Sequence, residues 1–177
     1  MQSRQFSPLF PASSEEATLD NVYLLIGQGG VFRVPTLVQT VLGSCISVTM
    51  HCRRRRCGGT FHAFLPSYEE FKSADSADDH FRYVDTSVKR LLQDFAWMGI
   101  SPKDLECKLF GGASPLHQHL RASMGIRNIQ AAHAALAEAG LTVKASSVGG
   151  DVGRKILFRT DTGLVLQKTF SVRSRRD

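Results

Sequence analysis

The chain has 177 residues, 42% of them hydrophobic and 21% charged, with a formal net charge of +6. That length and balance suit one globular domain with a sizeable core; they exclude a disordered chain, and no apolar run approaches the ~20 residues of a membrane helix. Four cysteines (Cys45, Cys52, Cys57 and Cys107) are too few for a disulfide scaffold and are expected as free thiols, metal ligands or a nucleophile.

Residues 1–20 (MQSRQFSPLFPASSEEATLD) show no sustained period and read as a flexible arm. They lack the basic start and apolar run of a secretory signal, so a cytoplasmic location is expected. Val22–Ile26 and Val31–Val34 read as short strands around the Gly27–Gly30 turn. Leu37–Leu42 is an apolar stretch stopped by Gly43 and Ser44. Ile46–Met50 then alternates as a half-buried strand does, and Thr60–Leu65 resumes the alternation after a turn of four arginines, Arg53–Arg56.

Phe81, Val84, Val88, Leu91, Leu92, Phe95 and Met98 recur at three- and four-residue steps and predict a helix. Asp78 and Asp79 suit its start and Gly99 its stop. Cys107–Phe110 predicts a buried strand ending at Gly111 and Gly112, followed by a loop carrying His117 and His119. A second helix is expected over 126–139, capped by Gly140, then a strand over 141–145. Gly149–Gly153 reads as a loop in which Asp151 and Arg154 pair. Lys155–Thr160 and Leu164–Thr169 form a hairpin about Asp161–Gly163.

Strands come in hairpins rather than in strict βαβ alternation. The expected class is α+β, a layered sandwich with mixed, largely antiparallel sheets and two main amphipathic helices. The expected organisation is an arm over 1–20, one domain over 21–170 and a basic tail over 171–177. The basic residues form no nucleic-acid-binding motif, and neither a G-x-G-x-x-G nor a Walker A loop is present, so no nucleic acid and no nucleotide is expected. His51, Cys52 and Cys57 make a poor metal set because the intervening guanidiniums repel a cation; no metal is expected.

With Arg53–Arg56 as the turn, Cys52 faces Cys57 and Cys45 faces Phe64. Ile46, Val48, Met50, Phe61, Ala63 and Leu65 then share an apolar face. Cys45, Ser47, Thr49, His51, Thr60, His62 and Phe64 share a mixed one, expected to be solvent-accessible. Cys45 lies diagonal to His62, roughly 7–8 Å apart between backbones. A thiol of ordinary pKa, ~8.5, is mostly protonated at neutral pH; a neighbouring imidazole can take that proton and return it to a leaving group. Gly43 and Ser44 precede the thiol, where a turn can aim N–H groups at an oxyanion.

These segments carry a resemblance. Thr40-Val-Leu-Gly43-Ser44-Cys45, then Gly58-Gly59-Thr-Phe-His62-Ala-Phe-Leu-Pro66, resemble the signature of the CheD family of chemoreceptor glutamine deamidases. Three later segments agree: Lys108–Ala113, Ile126–Asn128 and Val148–Arg154. The likeness runs from about residue 22 to residue 168. It implies Cys45 as nucleophile, His62 as general base and acid, and Thr40 as the third residue, five before the cysteine where Gln39 occupies the six-back position.

It also implies hydrolysis of receptor glutamine amides, and in the family of glutamate methyl esters, without cofactor. The implied partners are the cytoplasmic bundle of methyl-accepting chemoreceptors and a CheC-type phosphatase, with no membrane insertion. Gly111, Gly112, Gly149 and Gly150 are candidates for the substrate groove. Two alternatives stand beside it: a non-catalytic adaptor binding receptors or the phosphatase, and a basic nucleic-acid-binding module. The arginine turn is expected to guide the protein toward acidic receptors.

Overall fold

The strand Ile46–Cys52 (β4) is buried along its whole length, and this follows from its position at the centre of a five-stranded sheet. A computed structural model describes residues 19–72, 81–114 and 123–171. β4 runs antiparallel to β5 (Cys57–Phe61) on one side and to β6 (Leu105–Gly111) on the other. β2 (Gly29–Phe32) pairs with β5, and β7 (Val143–Val148) lies parallel to β6, giving the order β2-β5-β4-β6-β7. A second sheet is ordered β1 (Asp20–Tyr23), β3 (Thr36–Leu42), β8 (Val152–Arg159), β9 (Val165–Ser171), with only β1 and β3 parallel within it. The architecture is α+β with mixed, mainly antiparallel sheets.

The helical stripe forms as its period requires. After the single turn α1 (Tyr68–Phe71), α2 (Val84–Trp97) buries Val84, Val88, Leu91 and Phe95, and α3 (Met124–Glu138) buries Ala132, Ala135 and Leu136. Together they cover one face of the five-stranded sheet, packing on Ile46, Val48, Met50, Phe61 and Ala63. Each large side chain sealed there stabilises the fold by about 1.5–3 kcal/mol. Gly99 and Gly140 end the two helices in left-handed conformation, with φ of 69° at both. The acidic residue in the first turn of α2 is Asp85; Asp78 and Asp79 lie outside the described residues. So do His117, His119, the tail arginines and most of the N-terminal arm.

The hairpin register is the expected one, with Cys52 opposite Cys57 and Thr49 opposite Thr60. Its mixed face is not open to solvent, however. Ser47, Thr49, His51, Thr60 and His62 are all buried, because the second sheet packs over them. Phe158 of β8 lies so close to β5 that a Cβ at Gly58 would sit 2.6 Å from its ring. The alternation was polar on this face because those polar groups bond to one another and to backbone: Ser47 Oγ lies 2.8 Å from Thr60 Oγ1, and His51 Nε2 is 3.3 Å from the Asp161 carbonyl. A buried polar atom is tolerated when it is paired.

Other expectations shift. The stretches around Gly27–Gly30 form strands at Asp20–Tyr23 and Gly29–Phe32 that join different sheets, leaving Leu25 and Ile26 exposed in the turn between. The 149–153 loop is shorter than expected, since β8 begins at Val152. Arg154 does not pair with Asp151. Its guanidinium donates to Gly149 O (2.7 Å), Val152 O (3.1 Å) and Ser147 Oγ (3.2 Å), so backbone carbonyls brace the loop. Burial holds the Arg154 pKa below the usual arginine range. No described helix is long and apolar enough to cross a membrane.

Candidate active site

The chain passes from one sheet to the other at Gly43–Cys45, between β3 and β4. Cys45 therefore sits at the end of the sandwich, at the mouth of the space between sheets, just before the central strand rather than on a sheet edge. Its side chain is partly exposed and packs against Leu42, Phe110 and Ile156. The other three thiols are buried. Ile46 and Ala63 exchange N–H···O bonds of 2.8 and 3.0 Å, so the hairpin register extends past the strand ends. Cys45 thereby lies opposite Phe64 and diagonal to His62.

β3 contributes from the other sheet. Its inner face carries Thr36, Val38, Thr40 and Leu42, all buried, while Gln39 and Val41 point the other way. Thr40, five residues before the cysteine, is thus the one that faces His62; Gln39 is on the wrong side of the pleat. The Thr40 hydroxyl donates to the Leu24 carbonyl at 3.0 Å, and its oxygen lies 2.7 Å from His62 Nδ1. Since its one proton is committed to Leu24, the threonine oxygen accepts from Nδ1–H. That assignment leaves the Nε2 lone pair free, and Nε2 is buried without a hydrogen-bond partner among the described residues.

Burial is the leading electrostatic influence at both groups. It pushes the Cys45 thiol up, partly offset by the residue's own N–H leaning toward the sulfur, and it pulls the His62 imidazole down, against a raising contribution from the Leu24 carbonyl. Burial thus favours the neutral thiol and the neutral imidazole. The Cys45 N–H that leans toward its own sulfur follows the Gly43–Ser44 turn, the kind of place where backbone donors can meet an oxyanion.

The glycines behind the thiol act on its backbone. Gly112 N–H donates to Cys45 O at 2.8 Å, and a Cβ at Gly111 would lie 2.1 Å from that carbonyl. Gly149 N–H in turn donates to Gly111 O at 2.9 Å, and Gly150 O accepts from Ser114 N–H at 2.7 Å. Gly111 and Gly112 are buried, Gly149 is half-buried and Gly150 exposed. They form a brace beneath residue 45, with Gly149 and Gly150 alone reaching the surface.

One residue of the site was given no role in advance. Asn128, fully buried on α3, donates through Nδ2 to Ser44 O (2.9 Å) and Phe64 O (3.1 Å), tying the thiol strap to the histidine strap. Two carbonyl acceptors fix its amide orientation, and its Oδ1 is left without a partner among the described residues. The signal was present: an asparagine on the apolar stripe of a helix, flanked by Ile126, Ile129 and Ala132, has to be bonded to something. Asn128→Ala is expected to destabilise the protein by about 1–3 kcal/mol, the cost of stripping buried carbonyls of their donor. Urea denaturation checks this; an unchanged midpoint would show that the clamp carries no weight.

The arginine turn is remote from the thiol, at the far end of β4, about 26 Å along the strand at ~3.3 Å per residue. Arg54 lies 3.7 Å from Asp104, Arg56 3.9 Å from Asp161, and Arg55 donates to Met98 O at 3.5 Å. Its charge is thus partly answered within the molecule. Among the described residues no cluster of three or more His, Cys, Asp or Glu side chains could hold a metal ion.

A layered α+β protein that brings a thiol, an oriented imidazole and a hydroxyl to one end of its sandwich is equipped for thiol-based acyl transfer. The family model described as CheD chemotactic sensory transduction matches residues 64–169. A protein named "Probable chemoreceptor glutamine deamidase CheD 2" from Geobacter sulfurreducens is 45% identical over 151 residues, covering 85% of this chain and 90% of that one. A CheD of the same description from Nitratidesulfovibrio vulgaris is 40% identical over 161 residues, covering 88% and 80%. One from Methanosarcina acetivorans is 35% identical over 145 residues, covering 81% and 89%. The chain belongs to the CheD family.

Proposed function

We propose that this chain is a chemoreceptor glutamine deamidase that works through Cys45, His62 and Thr40. The single observation that carries the mechanism is the Thr40 oxygen held between the Leu24 carbonyl and His62 Nδ1, which leaves Nε2 as a base. As a receptor glutamine arrives, Nε2 takes the Cys45 proton and the sulfur attacks the side-chain amide carbon. The N–H groups of Ser44 and Cys45 receive the oxyanion. The imidazolium gives its proton to the departing nitrogen and ammonia leaves, forming a thioester. Water, deprotonated by Nε2, then hydrolyses the thioester to glutamate and restores the thiol. The sum is glutamine plus water giving glutamate plus ammonia; a glutamate methyl ester would release methanol by the same steps.

The reading includes the cytoplasmic bundle of a methyl-accepting receptor as substrate, a CheC-type phosphatase as partner, a cytoplasmic site of action and no cofactor. An adaptor without catalysis is the second reading, favoured by the His62 Nε2 that has no hydrogen-bond partner among the described residues, the Cys45 thiol included. Incubation of the protein with a soluble receptor cytoplasmic fragment, followed by mass spectrometry, separates them. Amide-to-acid conversion at discrete glutamines is expected; tight binding with no conversion would replace the enzyme by the adaptor.

Thr40→Val should lower kcat about tenfold or more with KM little changed, because the ring loses its orienting partner and its fixed tautomer. Thr40→Ser, which keeps the hydroxyl, should restore most of it. Equal rates for the valine variant and the parent would remove Thr40 from the mechanism.

A further inference from the structure

The antiparallel ladder between β4 and β5 runs on to Ile46 and Ala63, which exchange both backbone bonds. Exchanged pairs recur at every second residue of such a ladder, so Ser44 and Leu65 are due to form the next rung. They do not. Leu65 N–H donates to Arg82 O at 3.2 Å, and Leu65 O accepts from Val84 N–H at 2.8 Å. The histidine strap is thus led away to a bridge with Tyr83 at the start of α2. The hairpin opens at the level of Cys45 and Phe64.

Asn128 takes the place of the missing rung. Its Nδ2 donates to Ser44 O at 2.9 Å and to Phe64 O at 3.1 Å, one carbonyl from each strap. Cys45 therefore lies between two fixed points, the Ile46 rung on one side and the Ser44 clamp on the other. His62 is fixed to match, with its N–H donating to Gln28 O and its O accepting from Gly27 N–H, both at 2.8 Å.

The helix that carries the amide is seated on the same junction by direct backbone contact. A Cβ at Gly125, three residues before Asn128, would lie 2.5 Å from Gly112 O and 2.6 Å from Ala113 O. Glycine allows that approach, and the adjoining Gly112 N–H holds Cys45 O at 2.8 Å. The distance from α3 to the thiol strap is set by rigid main chain. Both amide protons are used while Oδ1 has no partner among the described residues, so the position calls for a two-proton donor. Serine and threonine supply one proton, and an ionised aspartate none.

We propose that Asn128 is a positioning residue for the reaction, holding the hairpin open at Cys45 and setting the place of the thiol against the His62 imidazole. The inference rests on the deamidase reading for its effect on turnover, but thiol reactivity tests it without a receptor. Asn128→Ala should lower kcat on a soluble receptor cytoplasmic fragment about tenfold or more with KM little changed, since misplacing reacting groups by about 1 Å costs on the order of 10²-fold. In the same variant, the acid limb that His62 gives to alkylation of Cys45 by iodoacetamide should be lost, leaving a rise set by the thiol alone.

Ser123→Ala is the matched control. Ser123 Oγ caps α3 by accepting from Ile126 N–H at 3.3 Å, so its loss weakens the same helix without removing either bond of the clamp. Its kcat and its alkylation profile should match those of the parent. If kcat falls in step with urea stability in both variants alike, the proposal is overturned. An unchanged alkylation profile in Asn128→Ala would overturn it as well. A parent that converts nothing, with an alkylation profile that Asn128→Ala alone alters, would end the deamidase reading and leave the positioning role standing. Should Asn128→Ala fold poorly by circular dichroism, Asn128→Gln keeps both protons but moves them by one methylene. The loss of kcat is expected there too, and full parent turnover would remove the role.

Discussion

Cys45→Ala is expected to fold normally, bind the receptor fragment and convert none of its glutamines. The side chain is only partly buried, and removal of one sulfur from the margin of the Leu42, Phe110 and Ile156 cluster should cost no more than about 1 kcal/mol. The chemical loss is of another order, because no other thiol can substitute. Cys52 and Cys107 are fully buried and Cys57 nearly so, and burial pushes the Cys107 pKa up to about 12. The same contrast predicts a single fast-reacting thiol toward iodoacetamide in the parent protein and none in the variant. Peptide mapping after brief alkylation checks the second point, and mass spectrometry of the receptor the first. Conversion by Cys45→Ala at the parent rate would end the nucleophile assignment.

His62→Ala is expected to lower kcat by about 10²–10⁴-fold, the range for losing a general acid–base. The pH profile of the parent is the sharper test. Burial lowers the His62 pKa below its ordinary ~6.5, so the base remains unprotonated into mildly acidic solution. The acid limb of kcat/KM should accordingly have its midpoint below 6.5. Burial also raises the thiol, so no standing thiolate is expected at pH 7; the proton moves only as substrate arrives. A thiolate absorbance at pH 5, as an ion pair would give, would contradict the neutral resting state.

Stability follows the same shift with a definite sign. As pH falls through ~6.5 the unfolded chain binds the His62 proton before the folded one does, so stability is full above that pH and declines below it until the folded imidazole is also protonated. His62→Ala should flatten that decline in a denaturation series from pH 8 to pH 5.

The local pattern carried much of this. Two-residue alternation in Ile46–Met50 fixed which side chains share a face, and a turn of four arginines fixed the register that leaves Cys45 diagonal to His62. Three- and four-residue spacing located α2, and a glycine marked the end of each long helix. Such features depend on neighbours along the chain or across one hairpin, where backbone geometry is the same in any fold. The solvent exposure of the hairpin's mixed face was misjudged for a related reason. Serine, threonine and histidine read as wet, yet Ser47 and Thr60 satisfy each other beneath a second sheet, and alternation cannot report what packs on top.

By itself the sequence determined the class of fold, the free-thiol character of the chain, the hairpin that holds residues 45 and 62, and the ordered motifs of its family. Only the tertiary structure decided that Thr40 rather than Gln39 meets the imidazole, that Asn128 ties the two straps together, and that Leu25 and Ile26 stand exposed beside the site. The reason is physical: these contacts join residues from separate sheets and a helix, and their partners are chosen by how layers pack, which no periodicity within a single strand or helix encodes.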